Sequence, residues 1–116
     1  MKKIIILIPV FNDWNSLKKL IEEINENVKD LKDINFECLV VNDASTIDRP
    51  KLIKPNYIRT FEILNMKMNN GHARCIAFGI RYVFQNKQFD NLILMDGDGE
   101  DRPVEIKSLL NTAYEK

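Results

Sequence analysis

Asn91-Leu92-Ile93-Leu94-Met95-Asp96-Gly97-Asp98-Gly99-Glu100-Asp101-Arg102-Pro103 is an apolar run that ends abruptly in carboxylates with glycines interleaved. A short apolar run bounded by polar residues reads as a buried strand, here residues 92–95. The acidic cluster then follows the strand's carboxyl end, which is where open α/β sheets bind ligands. If the segment stays extended, Asp96, Asp98 and Glu100 alternate at period two and point to one side. Oxygen ligands converging in this way suit a hard divalent cation, with phosphates or waters completing its shell. The glycines allow a sharp turn and close approach of a ligand.

Outward from this stretch, strand-like and helix-like patterns alternate. Residues 3–8, rich in isoleucine, fit a central strand covered on both faces and ended by Pro9. Asn12 or Asp13 can cap the helix that follows, whose apolar positions Trp14, Leu17, Leu20, Ile21, Ile24 and Val28 recur at helical spacing. Residues 36–41 form a second strand, ending in Asn42-Asp43-Ala44-Ser45-Thr46, and residues 47–55 read as loop with one helical turn. A third strand is expected over 57–64, then a turn at Asn69-Asn70-Gly71 and a helix over 72–84. Ala73, Ile76, Ala77, Ile80, Val83 and Phe84 would form that helix's apolar face. Gly79 within it costs up to about 1 kcal/mol relative to Ala, and close packing on the sheet would explain it. Pro103 suits the first position of a last helix over 104–114. The pattern predicts an α/β fold of three layers, helices on both faces of a mainly parallel sheet of about four strands.

The bulk properties bound the function. A chain of 116 residues makes a single domain, 1–116, large enough to bury a core. Lys+Arg and Asp+Glu both number 17, which argues against bulk nucleic-acid binding. Pro9 and the polar Asn12-Asp13 cut short the one stretch with a signal-peptide look, and no run approaches the roughly 18–20 apolar residues of a membrane helix. Cys38 falls in a strand pattern and Cys75 in a helix pattern, so buried free thiols in a cytoplasmic protein are expected.

In a parallel sheet the segments after the first, second and fourth strands lie along one edge and can line one crevice. Asp43 can accept a hydrogen bond from a base or sugar, or Asp43 and Ser45 can serve turn chemistry alone. The acidic loop can be a cation site or a solvated cluster, though carboxylates so close repel without a cation. An EF-hand fails, because Asp101 and Lys107 fall where that loop needs its glycine and its last carboxylate. His72, the sole histidine, gives no triad or zinc set and reads as packing or capping; Arg74 and Arg102 can meet a phosphate or sit on the surface.

Ile8-Pro9-Val10-Phe11-Asn12-Asp13, Val41-Asn42-Asp43-Ala44-Ser45, the stretch from Asn70-Gly71 to Gly79, and Met95-Asp96-Gly97-Asp98-Gly99-Glu100-Asp101-Arg102-Pro103 together resemble family 2 glycosyltransferases of the GT-A fold, in order and in spacing. The acidic motif is most similar to the branch containing dolichol-phosphate mannose synthases and bacterial polyprenyl-phosphate sugar transferases. The resemblance implies a Rossmann-like GT-A half that binds a UDP- or GDP-linked sugar with Mg²⁺ or Mn²⁺. It puts Pro9, Val10, Phe11, Asp13, Asp43 and Asp96 at the nucleotide and Asp96, Asp98 and Glu100 at the metal, with Asp96 serving the metal or the ribose. Asn42 departs from the family, which commonly has a second aspartate there, and is expected to alter nucleotide contacts.

The family's full domain is longer, and its second half supplies the acceptor site and the catalytic base, so no residue here is assigned as that base. The expected function is metal-dependent donor binding as the N-terminal half of an inverting glycosyltransferase, with a polyprenyl-phosphate acceptor and a place in the cytoplasm or at the cytoplasmic membrane face. The alternative is a non-catalytic nucleotide-binding or interaction module, its exposed apolar surface covered by a second copy or another partner. A phosphotransfer enzyme is the third reading, and it lacks a phosphate-cradling glycine loop.

Overall fold

The computed structural model describes residues 1–96 together with Pro103 and Ile106. Its elements run β1 (Lys2–Val10), α1 (Trp14–Val28), β2 (Ile34–Asn42), β3 (Thr60–Asn65), α2 (His72–Asn86) and β4 (Asn91–Leu94). Among the described residues these strands make one parallel sheet in the order β3-β2-β1-β4. The expected last helix lies outside the described residues, except that Ile106 is fully buried.

Alternation along β1 and β2 sorts their side chains into two cores. Ile4, Ile6, Ile8 and Val10, with Phe36, Cys38 and Val40, meet the face of α1 formed by Trp14, Leu17, Leu20, Ile21, Ile24 and Val28. Ile5, Leu7, Leu39 and Val41 meet Cys75 and Val83 of α2 on the other side. The helices therefore cover opposite faces, and the three-layer α/β expectation holds. Because β2 and β4 flank β1 on opposite sides, the strand order reverses beside β1. The crevice beyond its carboxyl end is a topological switch point, where ligands of open α/β sheets bind.

Several sequence expectations need correction. Pro9 does not end β1; it stands opposite Val41 and the strand continues to Val10. In a parallel ladder successive residues bond to alternate neighbours, and the Val10 carbonyl accepts from Asp43 on the β2 side. The Pro9 nitrogen is thus turned toward β4, beyond the last pair of Leu7 with Leu94, where no donor is needed. β3 starts at Thr60 rather than residue 57: the Tyr57 amide donates to Asn25 Oδ1 at 2.8 Å, and the Lys54 ammonium takes the Ile58 carbonyl at 2.9 Å. Residues 47–55 contain no helical turn.

The apolar face expected of α2 is rotated. Cys75, Gly79 and Val83 are buried and Ile76 and Ile80 half-buried, whereas Ala73, Ala77 and Phe84 are exposed. Gly79 sets this contact line. A Cβ built there would stand 2.7 Å from Leu7 Cδ1 and 2.9 Å from Val41 Cγ2, so the helix backbone lies directly on the sheet. Close packing was the expected reason for that glycine. Cys38 and Cys75 are both free and buried, as expected. Among the described residues no helix is long and apolar enough to cross a membrane.

Candidate functional site

A cavity of about 350 Å³ opens at the switch point. Pro9, Val10, Phe11 and Asp13 from the end of β1 and its loop form one wall, Asp43 follows β2, and Asp96 follows β4. All six residues singled out for a nucleotide therefore face one space. Of the three expected metal ligands only Asp96 is described; Asp98 and Glu100 lie outside the described residues. Among the described residues no three His, Cys, Asp or Glu side chains cluster closely enough to hold a metal.

The walls are laced together by side chains rather than by helix caps. Asp13 occupies the cap position of α1 without a side-chain cap bond. Asn12, which takes a left-handed φ of 65°, turns its side chain across to the loop after β2. Its Oδ1 accepts from the Thr46 and Ile47 amides at 2.8 and 2.9 Å, and its own amide donates to Ser45 Oγ at 2.9 Å. Asn is among the few residues that adopt this backbone region readily. Trp14 Nε1 adds a bond to the Ile47 carbonyl at 2.9 Å.

Asn42 belongs to the same lacing. Its Oδ1 accepts from the Ser45 amide and hydroxyl at 3.0 and 2.6 Å, while its Nδ2 donates to Asn65 Oδ1 at 3.0 Å. Asn42 does not line the cavity. An aspartate there could not donate to Asn65, so the departure seen in the sequence bears on the loop between β2 and β3. Ser45 likewise performs turn chemistry.

Asp43 links this wall to the turn before α2. It is 4% exposed; its amide donates to the Val10 carbonyl at 2.9 Å, and its Oδ1 accepts from the Asn70 amide at 3.0 Å. The Gly71 amide donates to Asn69 Oδ1 at 3.1 Å, and Gly71 holds a φ of 89° that favours glycine. Asn69, Gly71, His72 and Cys75 complete the lining. From the residues themselves the first two read as a turn signal and Cys75 as a core thiol, and the stretch from Asn70-Gly71 to Gly79 entered the family resemblance without a site role. Their part in the cavity follows from the place of α2 beside β1, which no local pattern encodes.

His72 is neither packed nor capping. Its side chain is 64% exposed, and its Nε2 stands 3.1 Å from Asp96 Oδ1. Arg74 is exposed and does not line the cavity, and Arg102 lies outside the described residues. Burial, then the nearby charge of Asp43, pushes the Cys75 thiol up to about 11, so it is a neutral wall group rather than a nucleophile. Burial alone pushes Cys38 up to about 12. The described wall thus offers oxygen acceptors from Asp13, Asp43 and Asp96 beside apolar surface from Pro9, Val10 and Phe11. That combination suits a flat polar ring and a cation-bridged anion.

Known sequences share the pattern. The profile of glycosyl transferase family 2 matches residues 5–116. An uncharacterized protein of Methanocaldococcus jannaschii is 29% identical over 91% of this chain and 44% of its own length. The undecaprenyl-phosphate 4-deoxy-4-formamido-L-arabinose transferase of Proteus mirabilis is 31% identical over 99% of this chain and 35% of its own length. The transferase of that name from Salmonella choleraesuis is 28% identical over the same shares. The chain spans less than half the length of these relatives. The match to the profile covers nearly all of it, and the chain belongs to glycosyl transferase family 2.

Proposed function

We propose that this chain is the donor-binding half of a metal-dependent, inverting glycosyltransferase and holds a nucleotide sugar in the cavity at the end of β1. The observation that carries this reading is the convergence of three separate strand-end segments on one cavity, bringing Asp13, Asp43 and Asp96 to its walls. In this reading residues 9–11 flank the nucleoside, Asp43 takes the base edge, and Asp96 lies on the diphosphate side. Asp96, Asp98 and Glu100 would hold Mg²⁺ or Mn²⁺; hard carboxylate oxygens fit such a cation, which supplies charge to neutralise the leaving diphosphate. The name of the Proteus relative supports a polyprenyl-phosphate acceptor for the whole protein.

Calorimetry with UDP- and GDP-sugars, with and without Mn²⁺, tests this. Metal-dependent binding is expected and should disappear in Asp98→Ala; absence of metal-dependent binding to every nucleotide would refute it.

A second reading, an interaction module, is favoured by one observation. Phe84 is 68% exposed, Leu94 47% and Phe78 45%, on α2 and on β4, the end strand of the sheet among the described residues. Apolar surface of this kind is commonly covered by a partner or a second copy. Sedimentation at rising concentration discriminates: a stable oligomer without metal-dependent nucleotide binding would favour this second reading.

A further inference from the structure

We infer that the face formed by α1 and residues 47–59 docks on an anionic lipid surface. The inference stands on this face alone and does not rest on nucleotide binding at the cavity.

Residues 47–59 join β2 to β3 without a helix or strand of their own. They are strapped lengthwise to α1. The Ile47 carbonyl accepts from Trp14 Nε1 at 2.9 Å at the start of the helix, and the Tyr57 amide donates to Asn25 Oδ1 at 2.8 Å near its end. Those two ties are about 16 Å apart along the helix axis. Between and beside them the strap turns some side chains inward: Ile58 is fully buried and Leu52 packs on the α1 core. A groove of about 300 Å³ lies between strap and helix, with Ile21, Leu52 and Pro55 in its floor and Lys18, Glu22 and Lys51 at its rim.

The side chains that the strap turns outward are mainly of two kinds. Ile53 is 74% exposed, Ile47 58% and Tyr57 53%, so three large apolar groups stand in water along one short segment. The others are cations: Arg49, Lys51 and Arg59 are exposed, and the exposed Lys54 donates to the Ile58 carbonyl. Asp48 is the sole carboxylate of the segment. With Lys18 and Glu22 from the helix, five cations meet two carboxylates on this face, in a chain of zero net charge. Farther along α1, Lys29 offsets Glu26 at 2.9 Å.

This mixture points to the partner. Protein interfaces concentrate aromatic residues and arginine and are depleted in lysine. Here the most exposed isoleucine, Ile53, stands between Lys51 and Lys54. A bilayer interface takes that pattern: apolar tips enter the boundary with the acyl chains, while lysine and arginine stems lie along hydrocarbon and their charges meet lipid phosphates. The face also begins at the cavity rim. Thr46, just before Ile47, donates its amide to Asn12 Oδ1, and Asn12 lies between the wall residues Phe11 and Asp13. Docking therefore brings the rim of the cavity to the lipid surface.

Co-sedimentation of the intact chain with vesicles tests the inference. Binding is expected to vesicles of mixed phosphatidylglycerol and phosphatidylcholine, not to phosphatidylcholine alone, and should weaken as added salt screens the charges. Lys51→Ala should weaken it roughly five-fold, the share of one basic residue at an anionic surface. Ile53→Ser should weaken it about ten-fold through lost apolar burial. Both side chains are exposed, so native circular dichroism is expected of both variants. An environment-sensitive fluorophore on Ile53→Cys should shift to shorter wavelength on the mixed vesicles, and the same label on Ala77→Cys, exposed on the opposite helix, should not; the native cysteines are buried. No binding to the mixed vesicles, equal binding to both kinds, or a label that responds at position 77 and not at 53 overturns the assignment. Binding to polyglutamate without binding to vesicles overturns it too, and gives the face to an acidic protein.

Discussion

Replacing Gly79 by alanine should destabilise this chain even though alanine is the better helix former. Taken alone, helix propensity favours Ala by about 1 kcal/mol at an interior position. The new Cβ, however, would stand 2.7 Å from Leu7 Cδ1, 2.9 Å from Val41 Cγ2 and 3.2 Å from Leu7 Cδ2. Leu7 and Val41 are 0% exposed and lie in the two central strands, where neither can step aside without disturbing the sheet. Overpacking of such sites costs about 1–3 kcal/mol, and two contacts this short on immobile hosts place Gly79 at the upper end. The net loss is therefore about 2 kcal/mol. For a chain of this size that lowers the melting midpoint by roughly 6–12 °C. Urea unfolding followed by circular dichroism measures it as a lower midpoint at unchanged slope. Ala77→Gly is the control, since Ala77 is exposed on the same helix and should lose only the propensity difference of about 1 kcal/mol. A Gly79→Ala chain as stable as the parent, or more so, would refute the close seating of α2.

Two further perturbations address the lacing of the loops and the brace between β3 and α2. Asn12→Ala removes the acceptor for the Thr46 and Ile47 amides and forces alanine to a φ of 65°; a loss of about 2 kcal/mol is expected, with Asn12→Gly recovering about half, measured by urea unfolding with Trp14 fluorescence. At Glu62, partial burial pushes the carboxyl up, but hydrogen bonds from Tyr82 and Lys87 and the charge of Lys87 outweigh it and hold the group below its ordinary 4.5. A depressed folded value stabilises the fold above the unfolded value and loses that contribution as pH falls through the folded one. Because Glu62 is 37% exposed, the contribution is small, less than about 1 kcal/mol. Glu62→Gln should lose stability near neutral pH and less at about pH 3, read from unfolding midpoints at the two values.

The fold was legible where burial repeats at a fixed period. The six apolar positions of α1 are its six buried residues, because a helix with one covered face writes that face into the chain at 3.6-residue spacing. α2 was legible in extent but not in orientation. Its contact line passes through a glycine and a cysteine, so a count of large apolar residues points to the wrong side; only the sheet beneath Gly79 fixes the rotation. Pro9 misled for a related reason. Whether a proline ends a strand depends on which neighbour its nitrogen faces, and that is set by β4, some eighty residues away in the chain. The candidate site was legible as a set of strand ends, but its bracing was not. Asn12, Asn42 and Ser45 form one network because β1 and β2 are adjacent in space.

That bracing is unequally shared around the cavity, and the difference matters for how the site would work. The walls after β1 and β2 are joined through nine paired residues and then by the bonds of Asn12, Asn42 and Asp43, so the side carrying Asp13 and Asp43 is held by backbone and side chains alike. Asp96 instead follows a strand of four residues that, among the described residues, is paired on one side only, opposite Ile4 to Leu7. Beyond that pairing the Met95 amide still donates to the Leu7 carbonyl at 3.0 Å, and His72 faces Asp96 across the cavity. Preorganisation helps most where recognition depends on hydrogen-bond direction, as at a base edge. A diphosphate bridged by a cation supplies its own strong, weakly directional attraction to carboxylates and asks less of the wall in advance. The better-braced wall is thus the one that would read the base, and the edge strand carries the carboxylate that would meet the metal.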